Sequence, residues 1–508
     1  MSGRTALVVF DTLDVSPSER LLVDALRGRG FDVRLAVIPR QRRARPLAAS
    51  VRRWLEGIGQ RREEVAPLAS LGAAEIFHSA DRLAAFADSV QPHVVFHFAD
   101  PLAAPAGSFP VYQTWLNGWP QSLRMNGVLS ADGGPLRLAV TRRQRGWPAP
   151  RTVLRAAVTP SGAIAVTDQD LLARRAVVLL LRALDVSKEE ESEPPRPMGK
   201  PLRVVGAGVA AFVASISGGL ATRWRCSEAW FLAYRLKREP AGDFRILFGG
   251  RERFLADPCA VTAGGEDWVF YEDFDYRLGR GAISVSRLQP DGTLSAPARV
   301  LEQPYHLSYP CVFESDGWWM VPETSDIGTV DLYRAVEFPF RWKHEARLLN
   351  DVLAVDATLH HDGRWWMFVS IGEYRSSTWD ELSIFMADEL TGPWRPHPRN
   401  PVKSNAASSR PAGRLIRRGG RLLRPAQDCS RFYGEAVRFC DIERLTEDDY
   451  AEREAEIVPP SLIPGAVALH TWTESENLEV VDARFARAWL DPARFRRQAE
   501  SFRKKMNA

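Results

Sequence analysis

The sequence is poor in cysteine and has none of the spacings that mark a metal or redox site. Its five cysteines stand singly, without a CxxC pair or a zinc-binding spacing. Scattered cysteines of this kind predict reduced thiols. We therefore expect a cytoplasmic protein with no metal site of the usual type.

Motifs for common cofactors and nucleophiles are also missing from the first half of the chain. It contains no P-loop, no GxSxG, no HExxH, and no GxGxxG after the first predicted strand. The chemistry that these motifs carry is therefore excluded there, and no cofactor is predicted.

Neither sign of charge dominates the composition. The chain has 67 basic and 63 acidic side chains, a formal net charge of +4. Its arginines form short clusters, such as that at 40–46, but no nucleic-acid-binding motif accompanies them. We expect solvated surface arginines and no nucleic-acid partner.

Long apolar runs are almost absent. The N-terminus lacks the charged region, long apolar core and cleavage site of a signal peptide, so residues 5–10 are predicted to form a first strand. Residues 204–224 are nearly uncharged and long enough to cross a bilayer, but their four glycines make them weakly hydrophobic. This composition favours a buried or interfacial helix over a membrane span, and no membrane association is expected.

A chain of 508 residues is long enough for two or more domains. Its acidic, proline-rich stretch at 187–201 is typical of a solvated linker. We predict an α/β domain at 1–186, a linker and connecting helix at 187–224, an all-β domain at 225–485 and a helical tail at 486–508. No oligomeric state is predicted.

The first domain has the pattern of an open α/β sheet. An apolar run at 5–10 is followed by a helical pattern at 18–30 that ends in Gly, and then by an alternating strand at 31–38. A further buried strand is predicted at 92–98 and a closing helix at 168–186. This alternation indicates a Rossmann-like sheet.

The second domain repeats one pattern. Each repeat has a small or polar leading position, an apolar strand, a Gly or Asp turn, and a second strand rich in Trp, Phe or Leu. The repeats lie at 254–275, 306–326, 354–373 and 408–428. Third strands are predicted at 281–288, 328–335, 381–388 and 433–440.

The spacing of these repeats indicates a β-propeller. The leading positions Asp257, Tyr309, Asp356 and Pro411 are 52, 47 and 55 residues apart, which is the length of a propeller blade. A fifth leading position fits 466–473. Residues 227–236 could supply an outer strand that closes the ring, so we predict five blades.

Tryptophans cluster at the turns of these repeats. Flat blades pack on one another through large side chains, which predicts a core role rather than a sugar-stacking role. The tryptophans concerned are Trp268, Trp318, Trp319, Trp365 and Trp366.

Polar residues at the leading positions should meet at one end of the central channel, which we call the funnel. The innermost strand of every blade lines the channel, so residues far apart in sequence converge there. Charges in such a place are costly to bury without a ligand or each other. The predicted substrate-binding residues are His306, Ser308, Tyr309, Arg410, Arg424 and His470.

Paired carboxylates in a funnel suit work on a glycosidic bond. One acid protonates the leaving oxygen, and the other acts as base or nucleophile. Asp257 and Asp356 are the predicted pair, and either Glu323 or Asp428 could be a third acid. Each has a structural alternative, because the two leading aspartates could cap turns and Glu323 could pair with an arginine.

The two arginines in the predicted site have a distinct role. Arg410 and Arg424 would suit a carboxylate or phosphate on the ligand, because a guanidinium group binds either through two hydrogen bonds. The predicted ligand is therefore a carbohydrate or glycoconjugate.

Several stretches of the second domain resemble a known family. The segments ADP at Asp257, VDATL at Asp356 and LTGPWRPHPRNPV at 390–402 are similar to glycoside hydrolase family 43 and its furanosidase relatives, which are five-bladed propellers. HLSYPCVFESDGWWMVPETS, DGRWWMF and RPAQDCSRFYG resemble more closely a branch related to the N-terminal domain of plant glucosamine inositolphosphorylceramide transferase. The resemblance covers residues 225–485.

The resemblance implies roles for individual residues. Asp257 matches the catalytic base of the hydrolases, and Asp356 matches their second aspartate, which tunes a pKa. The hydrolases place a glutamic acid on a later blade as general acid, whereas the fourth repeat here begins with Ser409, Arg410 and Pro411. The identity of the general acid is therefore left open.

The first domain is similar in layout to the formyltransferase fold. That chemistry uses an Asn, a His and an Asp, and the corresponding segment at 111–123 offers Asn117 without the histidine. The resemblance therefore implies a degenerate domain.

Three functions remain open from the sequence. The first is a carbohydrate-active protein whose funnel binds a glycosyl group, such as a furanosyl or amino sugar, and hydrolyses or transfers it. The second is a non-catalytic glycan-recognition module in a surface-glycan or glycolipid pathway. The third is formyl transfer to an amino sugar by the first domain.

Overall fold

A computed structural model of the chain describes residues 4–38, 66–98, 109–116, 119–121, 135–144, 147, 149–159, 167–186, 230–239, 244–250 and 252–485. The chain divides into two compact units, one of residues 1–220 and 374–377 and the other of residues 221–373 and 378–508. The predicted segments at 187–224 and 486–508 lie outside the described residues, so the domain boundaries there remain predictions.

The first unit is built on an eight-stranded sheet. Its strands are β1 (Arg4–Phe10), β3 (Phe31–Val37), β5 (Ala74–Ile76), β6 (Val94–His97), β7 (Val111–Leu116), β8 (Trp119–Gln121), β9 (Leu136–Arg143) and β10 (Arg151–Val158). A separate ribbon pairs β2 (Asp14–Val15) with β4 (Ala66–Pro67). The helices are α1 (Pro17–Gly28), α2 (Ala80–Val90) and α3 (Thr167–Ala183).

The first unit combines strands and helices, as predicted, while its Rossmann-like character stays a prediction. Strands β5, β3, β1, β6 and β7 are neighbours in that order and run parallel. β9 and β10 extend the sheet in antiparallel pairing. Helix α1 begins at a capping box, in which Ser16 accepts the Glu19 backbone N–H and the Glu19 carboxylate accepts that of Ser16.

The second unit contains five antiparallel sheets, which are the blades of a propeller. Blade I is β13 (Arg253–Ala263), β14 (Glu266–Asp275), β15 (Arg280–Arg287) and β16 (Ala298–Leu301). Blade II is β17 (Ser308–Glu314), β18 (Trp318–Thr324), β19 (Thr329–Glu337) and β20 (Arg341–Leu349). Blade III is β21 (Ala354–His361), β22 (Trp365–Ile371), β23 (Glu381–Ala387), β24 (Arg395–Pro396) and β25 (Lys403–Ser404).

Two further blades complete the ring. Blade IV is β26 (Ile416–Arg418), β27 (Arg421–Asp428), β28 (Ala436–Leu445) and β29 (Tyr450–Val458). Blade V is β30 (Ala466–Ala468), β31 (Trp472–Glu474), β32 (Leu478–Phe485), β11 (Trp230–Leu236) and β12 (Arg245–Leu247). The 3-10 turns of the described chain are Leu68–Leu71, Ser325–Ile327, Glu373–Arg375 and Pro460–Leu462.

Blade V joins strands from both ends of the propeller sequence. β11 pairs with β32 along its whole length, from Trp230 opposite Arg484 to Leu236 opposite Leu478. The five predicted blades and the closing strand are therefore confirmed, with one correction. β11 is not at the edge of its sheet, because it lies between β32 and β12.

Three of the five tryptophans have the predicted core role. Trp319, Trp365 and Trp366 are buried between blades. Trp268 and Trp318 are only partly buried, and both rings pack against Phe338. Hydrophobic burial between blades is the main stabilising contribution to such a ring.

Among the described residues, no helix has the length and apolar character needed to cross a bilayer. The apolar stretch at 204–224 lies outside those residues.

Candidate active site

The leading residues of blades I, II and III share an unusual backbone conformation. Asp257, Tyr309 and Asp356 have φ angles of 51°, 43° and 55°, in the left-handed region. Each lies where the register between the first two strands of its blade shifts at a bulge. A bulge re-aims a side chain, and non-glycine residues are held in this region only by strong surroundings.

Asp257 belongs to a buried triad with His470 and Asp482. The Nε2 atom of His470 lies 3.0 Å from Oδ1 of Asp257, and its Nδ1 lies 3.0 Å from Oδ2 of Asp482. Asp482 also accepts the backbone N–H groups of Asp257, His470 and Thr471. A buried imidazole between two carboxylates holds the Asp257 side chain in place.

The charges within this triad depend on one another. Burial alone would lower the pKa of His470, but the carboxylates of Asp482 and Asp257 raise it to about 10. Burial raises the pKa of Asp257 despite the opposing effect of His470. For Asp482, the imidazolium and the backbone hydrogen bonds outweigh burial and lower the pKa. His470 is therefore a cation at neutral pH.

A second group forms around Asp356. Its carboxylate accepts two hydrogen bonds from Arg410, at 2.5 Å from Nε and 3.3 Å from Nη2, and a third from Gln427 Nε2 at 2.8 Å. Burial raises the pKa of Asp356 to about 7, which Arg410 opposes and the neighbouring Glu323 reinforces.

Glu323 lies beside this ion pair. Its Oε1 accepts the Ser325 hydroxyl at 2.6 Å, and its carboxyl group lies near enough to that of Asp356 for each to affect the pKa of the other. Burial raises the pKa of Glu323, whereas Arg410 lowers it. The structure thus places Glu323, rather than Asp428, with the two predicted aspartates.

A fourth carboxyl group, which the sequence analysis missed, is that of Glu272. It is buried on β14, and Nε2 of His306 lies 3.6 Å from its Oε1. Burial, followed by the charge of Asp257, raises its pKa well above the usual range.

A signal for Glu272 does exist in the sequence. Glu272 pairs with Ala256, and Glu323 pairs with Ser308, so each lies opposite the residue that precedes a leading position. The same position in blade III is Ser370, opposite Val355. Alignment of the second strands, in addition to the first, would have identified it.

Aromatic side chains link the two groups. The ring of Tyr433 lies 5.3 Å from that of His470 and 5.4 Å from that of Trp379, and the Arg410 guanidinium lies 5.0 Å from the Tyr433 ring. The Trp230 ring also packs against His470, at 4.2 Å, and lies 6.4 Å from the Tyr433 ring. The Asp257 and Asp356 groups therefore lie near one another, while their roles stay a prediction. Asp482, Gln427, Tyr433 and Trp379 were not found from the sequence.

Two predicted binding residues, Tyr309 and Ser308, are buried and contact other residues of the propeller. The Tyr309 hydroxyl group accepts the Gly413 backbone N–H at 2.6 Å and lies 2.8 Å from the Thr358 hydroxyl oxygen. It connects blades II, III and IV, so its hydroxyl group is already engaged. Ser308 is buried opposite Glu323.

The structure places Arg424 and Asp428 in other contacts. Arg424 is fully buried and donates to both oxygens of Glu452 and to the carbonyl groups of Ser408 and Ser409. Asp428 accepts from Arg438 at 2.8 Å and 2.7 Å. Both side chains form internal ion pairs, which corrects the prediction that they face a ligand.

One group among the described residues has the composition of a metal site. Asp257, His470 and Asp482 offer ligand atoms within 4.8 Å of one another. However, both nitrogens of His470 already face carboxylates, and protonation of the imidazole satisfies both contacts. We therefore interpret the group as a proton-bridged ion triad.

The funnel thus combines acids in different protonation environments. Asp257 is paired with an imidazolium, Asp356 with a guanidinium, and Glu272 with neither. Carboxyl groups held in unlike environments are the usual basis for general acid and general base catalysis.

Most of this site, apart from Asp482 and Trp230, lies in a part of the chain that matches a known family. Residues 247–473 match the family described as glucosamine inositolphosphorylceramide transferase 1, N-terminal. The resemblance predicted for the propeller is thereby confirmed. The formyltransferase resemblance of the first unit stays a prediction.

Similar proteins carry the same description. Glucosamine inositolphosphorylceramide transferase 1 of Arabidopsis thaliana is 33% identical over 227 residues, which cover 43% of this chain and 29% of that protein. The protein of that name from Oryza sativa subsp. japonica is 34% identical over 209 residues, which cover 40% of this chain and 28% of that protein. The chain therefore spans less than a third of the length of these relatives.

Solved structures give a more distant likeness. The catalytic domain of a Coprinopsis cinerea GH62 alpha-L-arabinofuranosidase has a TM-score of 0.36 and 10% identity, over 51% of this chain and 98% of that chain. A Xanthomonas citri GH43_1 enzyme complexed with xylotriose has a TM-score of 0.33 and 12% identity, over 47% and 89%. These scores support no argument about function.

Proposed function

We propose that the protein is carbohydrate-active and that its funnel binds a glycosyl group and cleaves or transfers it. The observation that carries the proposal is the convergence of Asp257, Glu272, Glu323 and Asp356 from three blades around two cations. A glycosyl ligand agrees with the name of the plant relatives, which contains a glucosamine unit.

In this proposal Asp257 is the base or nucleophile. His470 keeps it ionised and oriented, and Asp482 fixes the imidazole in turn. Asp356 and Arg410 form a polar part of the funnel lining. Tyr433 and Trp379 are aromatic side chains on which a sugar ring can pack. The ligand is a carbohydrate or glycoconjugate, and the free buried thiols Cys259, Cys311, Cys429 and Cys440 agree with the proposed cytoplasmic location.

The experiment is a turnover assay with a panel of aryl furanosides, aryl amino-sugar glycosides and nucleotide sugars. Asp257→Asn keeps the shape of the side chain and removes its basicity, so we expect a loss of about 10²-fold to 10⁴-fold in kcat. Asp362→Asn is the control, since Asp362 is exposed and pairs with the exposed Arg417. Equal turnover by the three proteins would refute the catalytic role of Asp257.

A non-catalytic glycan-recognition module in a surface-glycan or glycolipid pathway is the second candidate. It is favoured by Arg410, which directly precedes the leading position Pro411 of the fourth repeat and binds Asp356 through two hydrogen bonds. Calorimetric binding of a glycan from the panel, with no product after prolonged incubation, would support this candidate over catalysis.

For the first unit we retain formyl transfer as a separate proposal. Its strand order places β1 between β3 and β6, where doubly wound sheets open a ligand crevice. Asn117 lies outside the described residues. Incubation with formyl-tetrahydrofolate and amino sugars tests the activity, and the absence of a formylated product would agree with the predicted degenerate domain.

A further inference from the structure

Cleavage of a glycosidic bond requires a proton for the leaving oxygen, and the position of the proton donor is open in this chain. Four carboxyl groups face the funnel, and the donor must be the one that holds a proton and is free to release it. The contacts of each group distinguish them.

Three of the four carboxyl groups are committed to other partners. Asp257 faces the His470 imidazolium at 3.0 Å, and Asp356 is paired with Arg410. Glu323 accepts the Ser325 hydroxyl and lies close to the charge of Arg410. In each of the three, a neighbouring cation opposes the effect of burial on the pKa and holds the carboxyl group in place.

Glu272 has no such partner within the described residues. Its carboxyl group accepts no hydrogen bond there, and the nearest recorded contact is His306 Nε2 at 3.6 Å. The side chain is 5% exposed. An ionised carboxylate in this position would be desolvated without compensation, whereas a protonated one would not.

The surroundings of Glu272 are built closely around its carboxyl group. A Cβ atom on Gly281 would lie 2.9 Å from Glu272 Oε1 and 2.5 Å from the Leu307 carbonyl oxygen, so no larger residue fits at 281. The Gly281 backbone N–H donates to His306 Nδ1 at 2.8 Å. This bond places the proton of a neutral His306 on Nε2, which faces Glu272.

The charges that face Glu272 favour its protonated form. From neighbouring strands these are Asp257, Glu323 and Asp482, which raise its pKa, and His470, which lowers it. His306 is kept neutral because burial lowers its own pKa, against the opposing charges of Asp326 and Asp257. Because three acidic side chains raise the pKa of Glu272 and one cation lowers it, Glu272 keeps its proton.

We propose that Glu272 is the general acid of this funnel, an inference that rests on the proposed glycosidic chemistry. The Glu272 O–H proton passes to the leaving oxygen as the bond from the anomeric carbon to that oxygen breaks. Asp257 takes a proton from the water or acceptor hydroxyl that forms the new bond. The products are the released alcohol and the free or transferred sugar, and one proton moves from Asp257 through solvent to Glu272 to restore the enzyme.

The test compares two leaving groups on whichever sugar the wild-type protein turns over. A methyl glycoside needs a proton at its leaving oxygen, whereas a 2,4-dinitrophenyl glycoside does not. Glu272→Gln keeps the size of the side chain and should lower kcat/KM for the methyl glycoside about 10²-fold to 10⁴-fold. For the dinitrophenyl glycoside we expect a change below about tenfold.

The pH profile gives a second readout that a structural role would not produce. A general acid must be protonated, so wild-type activity should fall as the pH rises through the pKa of Glu272. With the methyl glycoside, this alkaline limb should be present in the wild type and lost in Glu272→Gln. Glu323→Gln is the matched control, and it should affect both substrates by similar factors and keep the limb.

The outcomes separate this assignment from the proposed function. If the wild-type protein turns over neither substrate, both the assignment of Glu272 and the proposed function are refuted. Wild-type turnover combined with equal losses in Glu272→Gln, or with a leaving-group effect in Glu323→Gln instead, would overturn the role of Glu272 alone. Retained ligand binding by Glu272→Gln, measured by calorimetry, confirms that the variant is folded.

Discussion

At the scale of single residues, the Asp356–Arg410 pair is the clearest case of a charge that depends on its partner. Both side chains are nearly excluded from solvent, at 2% and 9% exposure. Arg410→Ala leaves a buried carboxylate without its cation, and we expect the free energy of unfolding to fall by about 3 to 5 kcal/mol. Urea unfolding followed by tryptophan fluorescence measures this.

A matched arginine provides the control for that experiment. Arg417 pairs with Asp362 on the surface, with both side chains 62% exposed. Arg417→Ala should cost no more than about 1 kcal/mol, because exposed ion pairs contribute little. Similar losses in the two variants would contradict the buried pairing.

His470 gives a prediction with a defined sign in pH. Its folded pKa of about 10 exceeds the ordinary value of 6.5, so the stability it contributes is full below about pH 6.5 and is lost as the pH rises through about 10. Asp482 has a lowered pKa, so its contribution is present above its ordinary value of 3.8 and is lost as the pH falls. Imidazole ¹⁵N NMR should show a doubly protonated His470 at pH 8, and a neutral ring there would contradict the triad.

The residues of the site differ in how far the sequence could reveal them. Asp257 and Asp356 recur at one position of a repeat, so alignment of the repeats finds them. Asp482 was missed because it lies on β32, the second strand of blade V, which was not aligned with the other repeats; it meets His470 through the local pairing of β31 with β32. Arg424 and Asp428 carry suitable chemistry, but their ion pairs with Glu452 and Arg438 depend on strand register, which composition does not encode.

At the scale of elements, the turn between β27 and β28 controls the position of His470. Gly434 has a φ angle of +66°, and a Cβ atom there would lie 2.7 Å from the His470 Cβ and 3.2 Å from the Trp230 ring. Gly434→Ala should therefore combine backbone strain of about 1 to 2 kcal/mol with a steric cost of about 1 to 3 kcal/mol. Thermal unfolding measures the sum.

A second glycine separates these two effects. Gly419 has a φ angle of +56°, and a Cβ atom there would meet nothing within 4 Å. Gly419→Ala should show the backbone strain alone. If the two variants lose equal stability, the packing of Gly434 against His470 is not what excludes a side chain.

The elements themselves were mostly predictable, because alternation of apolar residues and turn residues is local. Predicted third strands at 281–288 and 381–388 agree with β15 (Arg280–Arg287) and β23 (Glu381–Ala387) to within a residue. The bulges at Asp257 and Asp356 were not predicted, since they arise from contacts with other blades. Asp257, for example, is held through its backbone N–H by Asp482.

At the scale of the whole molecule, the propeller depends on a closure between distant parts of the chain. Blade V pairs β11 (Trp230–Leu236) with β32 (Leu478–Phe485), and the loop between them contains the other four blades. Closing so long a loop costs conformational entropy that the sheet and its packing must offset. The sequence indicated the closing strand through its aromatic and apolar pattern, but not its inner place in the sheet.

The dependence on this closure can be measured with two proline substitutions in the full chain. Ala233 is buried and pairs with Val481 on one side and Ile246 on the other, so Ala233→Pro removes ladder hydrogen bonds inside the sheet and should lower the free energy of unfolding by about 3 kcal/mol or more. Glu345 lies at a bulge in β20, at the edge of blade II, where proline is tolerated. Glu345→Pro should therefore unfold close to the wild-type temperature, while Ala233→Pro should melt much earlier and lose its single cooperative transition. Equal melting of the two variants would mean that the ring does not need β11 for its stability, and that β32, which carries Asp482 of the triad with Asp257 and His470, is held in place without β11.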